Sequence, residues 1–229
     1  MLLRFTKMHG LGNDFMVVDL ISQQVPLNPE LIKELSDRRF GIGFDQLLTV
    51  RPPTKPDSDF RYTIYNADGS EAEQCGNGAR CFLRFVRDEG LTTKSNIRLE
   101  TSNAIISCTL EKDGNITVDM GRPALKPRKV PFVADSPQTS YELSLGSEYP
   151  DIFSISALNV GNPHAVIIVP AVDSAPVLQV GPLIESHPRF PEGVNVGFME
   201  IVSRKKIRLR VFERGVGETK ACGSGACAA

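Results

Sequence analysis

The sequence contains no tryptophan, and only 7% of its residues are aromatic. It also lacks surplus charge: 26 Lys and Arg oppose 27 Asp and Glu, a formal net charge of −1. No basic stripe interleaved with aromatics offers nucleic acid a footprint. The longest clean apolar run, near residues 165–169, falls far short of the roughly 20 residues that a bilayer-crossing helix needs. The N-terminal MLLRFTKMHG has neither a long apolar stretch nor a small-residue cleavage site, so a cytoplasmic location is expected. The cysteines are Cys75, Cys81, Cys108, Cys222 and Cys227, an odd number with no CxxC pair. This argues against a disulfide framework and matches no common zinc spacing, so free thiols and no metal site are expected.

The 229 residues, 41% of them apolar, suffice for one large or two small globular domains. Strand patterns cover 2–7, 15–20, 47–50, 60–65, 97–101, 104–110, 116–120, 152–160, 165–169, 194–201 and 207–212. Helices are expected from Asn28-Pro29 to about Arg38, from Cys75-Gly76 to a stop at Gly90, and over 173–180. Asp113-Gly114 marks a hairpin. Residues 121–150, rich in Pro, Ser and Lys, read as a linker between an N-terminal half, 1–120, and a C-terminal half, 151–229.

The halves repeat. Cys-Gly-polar-Gly-Ala occurs at 75–79 and again 147 positions later at 222–226. At that offset Tyr65 meets Phe212, Asn66 meets Glu213, and Glu71 meets Glu218. At an offset of 149, Gly12-Asn13 meets Gly161-Asn162 and Gln46 meets Asn195. The order is the same in both halves: a Gly-Asn loop, a side-chain amide, a polar residue after a strand, then the cysteine turn. By repeat logic roughly 45 residues that would match the end of the first half are absent from the second. The expectation is a fragment whose second sheet exposes apolar surface or an edge.

Each of Cys75 and Cys222 precedes a glycine-flanked helix start. First-turn N–H groups and the positive end of the dipole suit an anion there and lower a thiol pKa. Two related halves facing one cleft would place a carboxylate between the helix starts, with one sulfur on each face of the adjacent α-carbon. A thiolate could remove the α-proton while a thiol delivers one to the opposite face, inverting the centre. Cys81, Cys108 and Cys227 read as small buried hydrophobes, and His9 and His187 as structural. No pattern suggests a cofactor.

HGLGNDF, GFDQLL, YNADGSEAEQCGNGARC, GNPHAV, NVGFM and ERGVGETKACGSGACAA, in this order, closely resemble the diaminopimelate epimerase family over the whole chain. The resemblance implies an α/β (α+β) fold of two pseudo-symmetric halves, each a curled, mainly antiparallel sheet around a central helix, with the active site between them. It implies cofactor-independent interconversion of LL- and meso-diaminopimelate in lysine and peptidoglycan precursor synthesis, and a homodimeric parent enzyme. It assigns Cys75 and Cys222 as the acid–base pair, with His164 and Glu213 near the reacting centre. Gly76, Asn77, Gly223 and Ser224 would hold the reacting carboxylate. Asn13, Gln46, Asn66, Asn162, Asn195, Glu213 and Arg214 would make the remaining substrate contacts. A proline-type two-cysteine racemase is the alternative, as is an inactive fragment; a thiol redox protein is disfavoured by the wide cysteine separation.

Overall fold

Alternating apolar residues build two separate sheets. The computed structural model describes residues 2–72, 75–102, 104–147, 149 and 152–229, and it divides into two units, Met1–Met120 and Gly121–Ala229. Glu73 and Gln74 of the first cysteine motif, and Pro150 at the end of the expected linker, lie outside the described residues.

The first unit contains β1 (Thr6–Gly10), β2 (Asn13–Asp19), α1 (Pro29–Ser36), β3 (Gln46–Arg51), β4 (Phe60–Asn66), β5 (Glu71–Ala72), α2 (Gly76–Asp88), β6 (Asn96–Glu100), β7 (Ile105–Leu110) and β8 (Ile116–Asp119). Its strands run in the order β1-β2-β3-β4-β6-β7-β8, with β5 also on β4. β1 and β2 are joined by Leu11 and Gly12, both at positive φ (55° and 88°), the requirement of a two-residue type I′ hairpin. That turn delivers Asn13 to the start of β2. The β7–β8 hairpin forms around Asp113-Gly114, as its sequence predicts, with Gly114 at φ 86°.

The second unit contains β9 (Tyr141–Ser144), β10 (Ile152–Asn159), β11 (Pro163–Ile168), α3 (Val177–Glu185), β12 (Asn195–Ser203), β13 (Lys206–Glu213), β14 (Gly217–Thr219) and α4 (Gly223–Ala228). Its order is β14-β13-β12-β11-β10-β9. The pairing of β1 to β5 is repeated by β10 to β14, while β6 to β8 and β9 have no counterpart among the described residues. β1/β2 and β10/β11 are antiparallel, β2/β3 and β11/β12 parallel, β3/β4 and β12/β13 antiparallel. Even the register is kept: Phe15 faces Gln46 as His164 faces Asn195, and Tyr65 faces Glu71 as Phe212 faces Glu218. The duplication expected from sequence is therefore present in the backbone, and the fold is α+β.

Both sheets carry a helix on one face and the cysteine-turn helix on the other. In the first unit α1 covers Met16, Val18 and Leu47, and α2 covers Phe15, Val17, Leu48, Tyr62 and Ile64. The 13-residue α2 buries Ala79, Phe82, Leu83 and Val86 on one side, and the chain leaves it at Gly90, φ 69°, the stop that its sequence predicts. In the second unit α3 covers Ala165, Ile167, Val196 and Phe198. The six-residue α4 leaves a cluster of only three buried residues, Leu158, Val160 and Val166. Ile168, Ile201 and Ile207 stay exposed.

Two expectations change. Residues 121–150 are not a bare connection: Val130, Phe132, Tyr141 and Leu143 are buried in the second core, and β9 pairs with β10. Their apolar residues are spaced among prolines and serines, which hid the pattern. The helix expected over 173–180 begins at Val177, because Pro176 disfavours helical backbone at Ala175; a 3-10 turn, Val172–Ser174, precedes it. The helix continues through Pro182, held to the sheet by buried Val180 and Ile184.

Candidate active site

The cysteine turns are built alike. Cys75 is the N-cap of α2, with extended backbone, and its Sγ accepts a hydrogen bond from the Gly78 N–H at 3.4 Å. Cys222 is the N-cap of α4, and its Sγ accepts from the Gly225 N–H at 3.3 Å. A sulfur thus occupies the place where Ser or Asp usually caps a helix. A side chain at the third helical position is crowded in both turns, more severely in the first. A Cβ on Gly78 would stand 2.3 Å from the Tyr62 hydroxyl, and one on Gly225 would stand 3.0 Å from Val211 Cγ2.

In the first unit the sheet register places Gln46 opposite Asn66, and Gln46 Nε2 donates to Asn66 Oδ1 at 3.0 Å. Gln46 Oε1 is buried without a hydrogen-bond partner, an acceptor suited to an ammonium or amide donor. Asn66 Nδ2 donates onward to Ser70. Cys75 Sγ donates to Asn13 Oδ1 at 3.7 Å. Asn77, at the second helical position of α2, is buried.

In the second unit His164 is fully buried on β11, with Nε2 3.0 Å from Asn162 Oδ1 and Nδ1 without a hydrogen-bond partner. Burial, and then the charge of Arg214, lowers its pKa to about 4, so the imidazole is neutral at pH 7. Asn195 Nδ2 donates to the Pro163 carbonyl, and its Oδ1 accepts from the Arg214 N–H at 3.0 Å. Arg214 Nη1 donates to the Glu192 carbonyl. Thr219 donates to the Glu213 carboxylate. Ser224 Oγ lies 3.4 Å from Cys222 Sγ.

The cysteine electrostatics differ from the sequence expectation. A helix start was expected to lower the thiol pKa. For Cys222 burial and then the Glu213 charge push it up to about 12, against the opposing Ser224 and Gly225 hydrogen bonds. Six residues of helix supply a weak dipole, and burial together with the neighbouring carboxylate overrides it. Cys222 therefore carries its proton in this state. Cys81 and Cys108 are buried as expected, with burial raising their pKa to about 11 and about 12. Cys227 is exposed on α4, contrary to expectation.

The structure thus groups Asn13 with Cys75 and Gln46 with Asn66 in one unit. It groups Asn162 with His164, Asn195 with Arg214, and Glu213 with Cys222 in the other. Sequence reading did not assign roles to three supporting residues: Tyr62, whose hydroxyl donates to the Cys75 carbonyl, Thr219 on Glu213, and Asp45, which accepts from Asn13. The signal for the last two was adjacency, since GFDQ and GET lie within or beside the site motifs.

A family model described as diaminopimelate epimerase matches residues 5–126 and 156–229. The chain is 61% identical over 229 residues to the diaminopimelate epimerase of Aromatoleum aromaticum, covering all of this chain and 82% of that protein. It is 58% identical over 230 residues to that of Azotobacter vinelandii, again covering all of this chain and 82% of the relative. Among solved structures, a hydroxyproline epimerase from Agrobacterium vitis superposes with a TM-score of 0.69 at 14% identity, over 98% of this chain and 74% of that one. A probable proline racemase from Agrobacterium radiobacter gives 0.70 at 18%, with the same coverage. At these identities the two structures attest the fold alone. The chain belongs to the diaminopimelate epimerase family.

Proposed function

We infer that this chain epimerises LL-diaminopimelate to meso-diaminopimelate by proton transfer between the substrate α-carbon and two cysteines. The observation that carries this reading is the repeated turn: two cysteines, each capping a helix, each with its sulfur on a first-turn N–H. Cys75 and Cys222 are assigned as the two acid–base groups for one α-carbon. The Glu213 charge holds the proton on Cys222 at rest; a substrate ammonium beside the two groups is assigned to offset that charge, so that the proton leaves to solvent. The Cys222 thiolate then removes the α-proton, and the Cys75 thiol delivers its proton to the opposite face. At the end Cys222 is a thiol and Cys75 a thiolate; the reverse reaction exchanges the roles.

A positioned acid or base supplies roughly 10²–10⁴-fold. The rest must come from donors that hold the developing enediolate. Gly76, Asn77, Gly223 and Ser224 are assigned to that carboxylate. Arg214 is assigned to the distal carboxylate, which suits a bidentate guanidinium. Asn13, Gln46, Asn66, Asn162, Asn195 and Glu213 are assigned to the amino groups and backbone of the substrate, with the unpartnered Gln46 Oε1 as the clearest acceptor. Neutral His164 is assigned a place beside the reacting centre. In this reading the residues do the acid–base work without a cofactor. The same reading carries a homodimer and a cytoplasmic location, without nucleic-acid or membrane partners. Among the described residues no helix is long and apolar enough to cross a membrane.

The test is α-hydrogen exchange of LL-diaminopimelate in D2O, with proline as the competing substrate. Exchange of diaminopimelate alone is expected; exchange of proline alone would select the proline-type alternative. Cys75→Ala and Cys222→Ala should each lower the rate of epimerisation by 10²-fold or more. Near-normal turnover in either variant would remove the two-base mechanism.

A further inference from the structure

Asn13 presents an amide to Cys75, and an amide can present either of two atoms. Oxygen accepts a hydrogen bond and favours the thiol; nitrogen donates and favours the thiolate. What decides lies behind Asn13. Asn13 Nδ2 donates to Asp45 Oδ2 at 3.1 Å, and the same oxygen accepts from the Asp14 N–H at 2.9 Å. The other oxygen, Asp45 Oδ1, accepts from Arg38 Nη2 at 2.7 Å. Arg38 also grips Asp14, and the Asp45 N–H donates to Asp14 in return. A carboxylate can only accept. A rotated Asn13 would set its oxygen against the Asp45 oxygens, so the amide nitrogen stays on Asp45 and the oxygen stays on Cys75 Sγ.

We propose that Asp45 is a positioning residue: it fixes the Asn13 amide with its oxygen toward Cys75 and so keeps the proton on that sulfur. This rests on the assignment of Cys75 as an acid–base group, and it gives that group a starting state, the thiol. Nothing is bonded or broken at rest. The Cys75 proton stays on sulfur and points at Asn13 Oδ1, while the Gly78 N–H approaches the same sulfur from the helix.

The experiment follows alkylation of Cys75 by iodoacetamide at pH 8, read by peptide mass spectrometry on the 229-residue chain. It needs no substrate, so it stands or falls separately from the epimerase reading. Asp45→Leu should speed Cys75 alkylation roughly two- to tenfold, the ratio that one ordinary hydrogen bond carries. Asp45→Asn, which keeps an oxygen for Asn13 Nδ2, should stay within about twofold of the wild type on the same grounds. The rate at Cys227 should be unchanged throughout. Asn13→Leu removes the acceptor directly and should speed Cys75 by the same ratio. In the Asn13→Leu background, Asp45→Leu should then add nothing. Equal effects of Asp45→Leu and Asp45→Asn, additive effects of the two leucine variants, or no change in Cys75 would overturn the proposal. If Asp45→Leu fails to fold, the Asn13→Leu rate decides: an unchanged Cys75 overturns it.

Discussion

The two units share the order and register of five matched strands, yet they stabilise their cysteine turns differently. In the first, α2 lays 13 residues across the sheet, and Phe82 packs edge-on against both Phe60 and Tyr62. In the second, α4 has six residues, and the matching sheet face keeps Ile168, Ile201 and Ile207 at 64%, 55% and 40% exposure. The same turn can therefore be held by a deep core or by local hydrogen bonds with a small apolar cluster. The second unit draws its stability from the opposite face, where α3, Phe190 and the segment with Phe132 and Tyr141 close the core. On that side Arg189 lies over the Phe132 ring at 4.4 Å.

Matched substitutions put this difference to the test. Phe60 on β4 and Ile207 on β13 lie at equivalent positions, 147 residues apart, and each faces the cysteine-turn side of its sheet. Phe60 is 7% exposed and inside the α2 core. Phe60→Ala should cost about 3–5 kcal/mol, while Ile207→Ala should stay within about 1 kcal/mol. Urea unfolding of both variants measures the gap. Equal losses would mean that the second face is covered in solution.

A smaller effect separates the strands that carry the sites. Phe15 and His164 occupy the same register position, but only His164 titrates. Its folded pKa of about 4 lies below the ordinary 6.5. Protonation thus favours the unfolded chain, and stability contributed by neutral His164 is complete above pH 6.5 and falls as pH drops toward 4. The loss has a ceiling of about 3 kcal/mol. His164→Phe copies the first unit and should flatten the stability slope between pH 6.5 and 4.5. The lost partner of Asn162 lowers its stability by a constant amount and leaves the slope diagnostic. A variant with the wild-type slope would mean that His164 takes up its proton at the same pH in the folded and unfolded chain.

Much of this was legible in the chain, because the repeat is written in residues that have few alternatives. Glycine at 78 is required by close approach and glycine at 225 is favoured by a looser one, and polar residues at strand ends recur because one register recurs. The α2 stripe and the Asp113-Gly114 hairpin follow local rules. Short strands were missed: β5 and β14 have two and three residues, too few for a period to show. The raised Cys222 pKa was missed for a different reason. A helix start is visible in sequence, but the burial of its sulfur beside Glu213 comes from tertiary packing.

The glycines that admit the two turns give the finest contrast. Gly78→Ala drives a methyl to 2.3 Å from the Tyr62 hydroxyl and 3.2 Å from Leu48. Tyr62 must move, and its hydrogen bond to the Cys75 carbonyl goes with it. The expected loss is about 1–3 kcal/mol, from overpacking and a broken bond. Gly225→Ala meets Val211 at 3.0 Å and the Cys222 sulfur at 3.3 Å. Part of that crowding is offset by roughly 0.5–1 kcal/mol of helix propensity, and the surrounding face is open, so the net change should stay below about 1 kcal/mol. Activity should follow the opposite order. The Gly78 methyl strikes the core behind the turn, whereas the Gly225 methyl presses on the sulfur itself. Thermal unfolding and the exchange assay on the same two variants measure both orders. If one variant proves worse in both, the two turns rely on their surroundings in the same way.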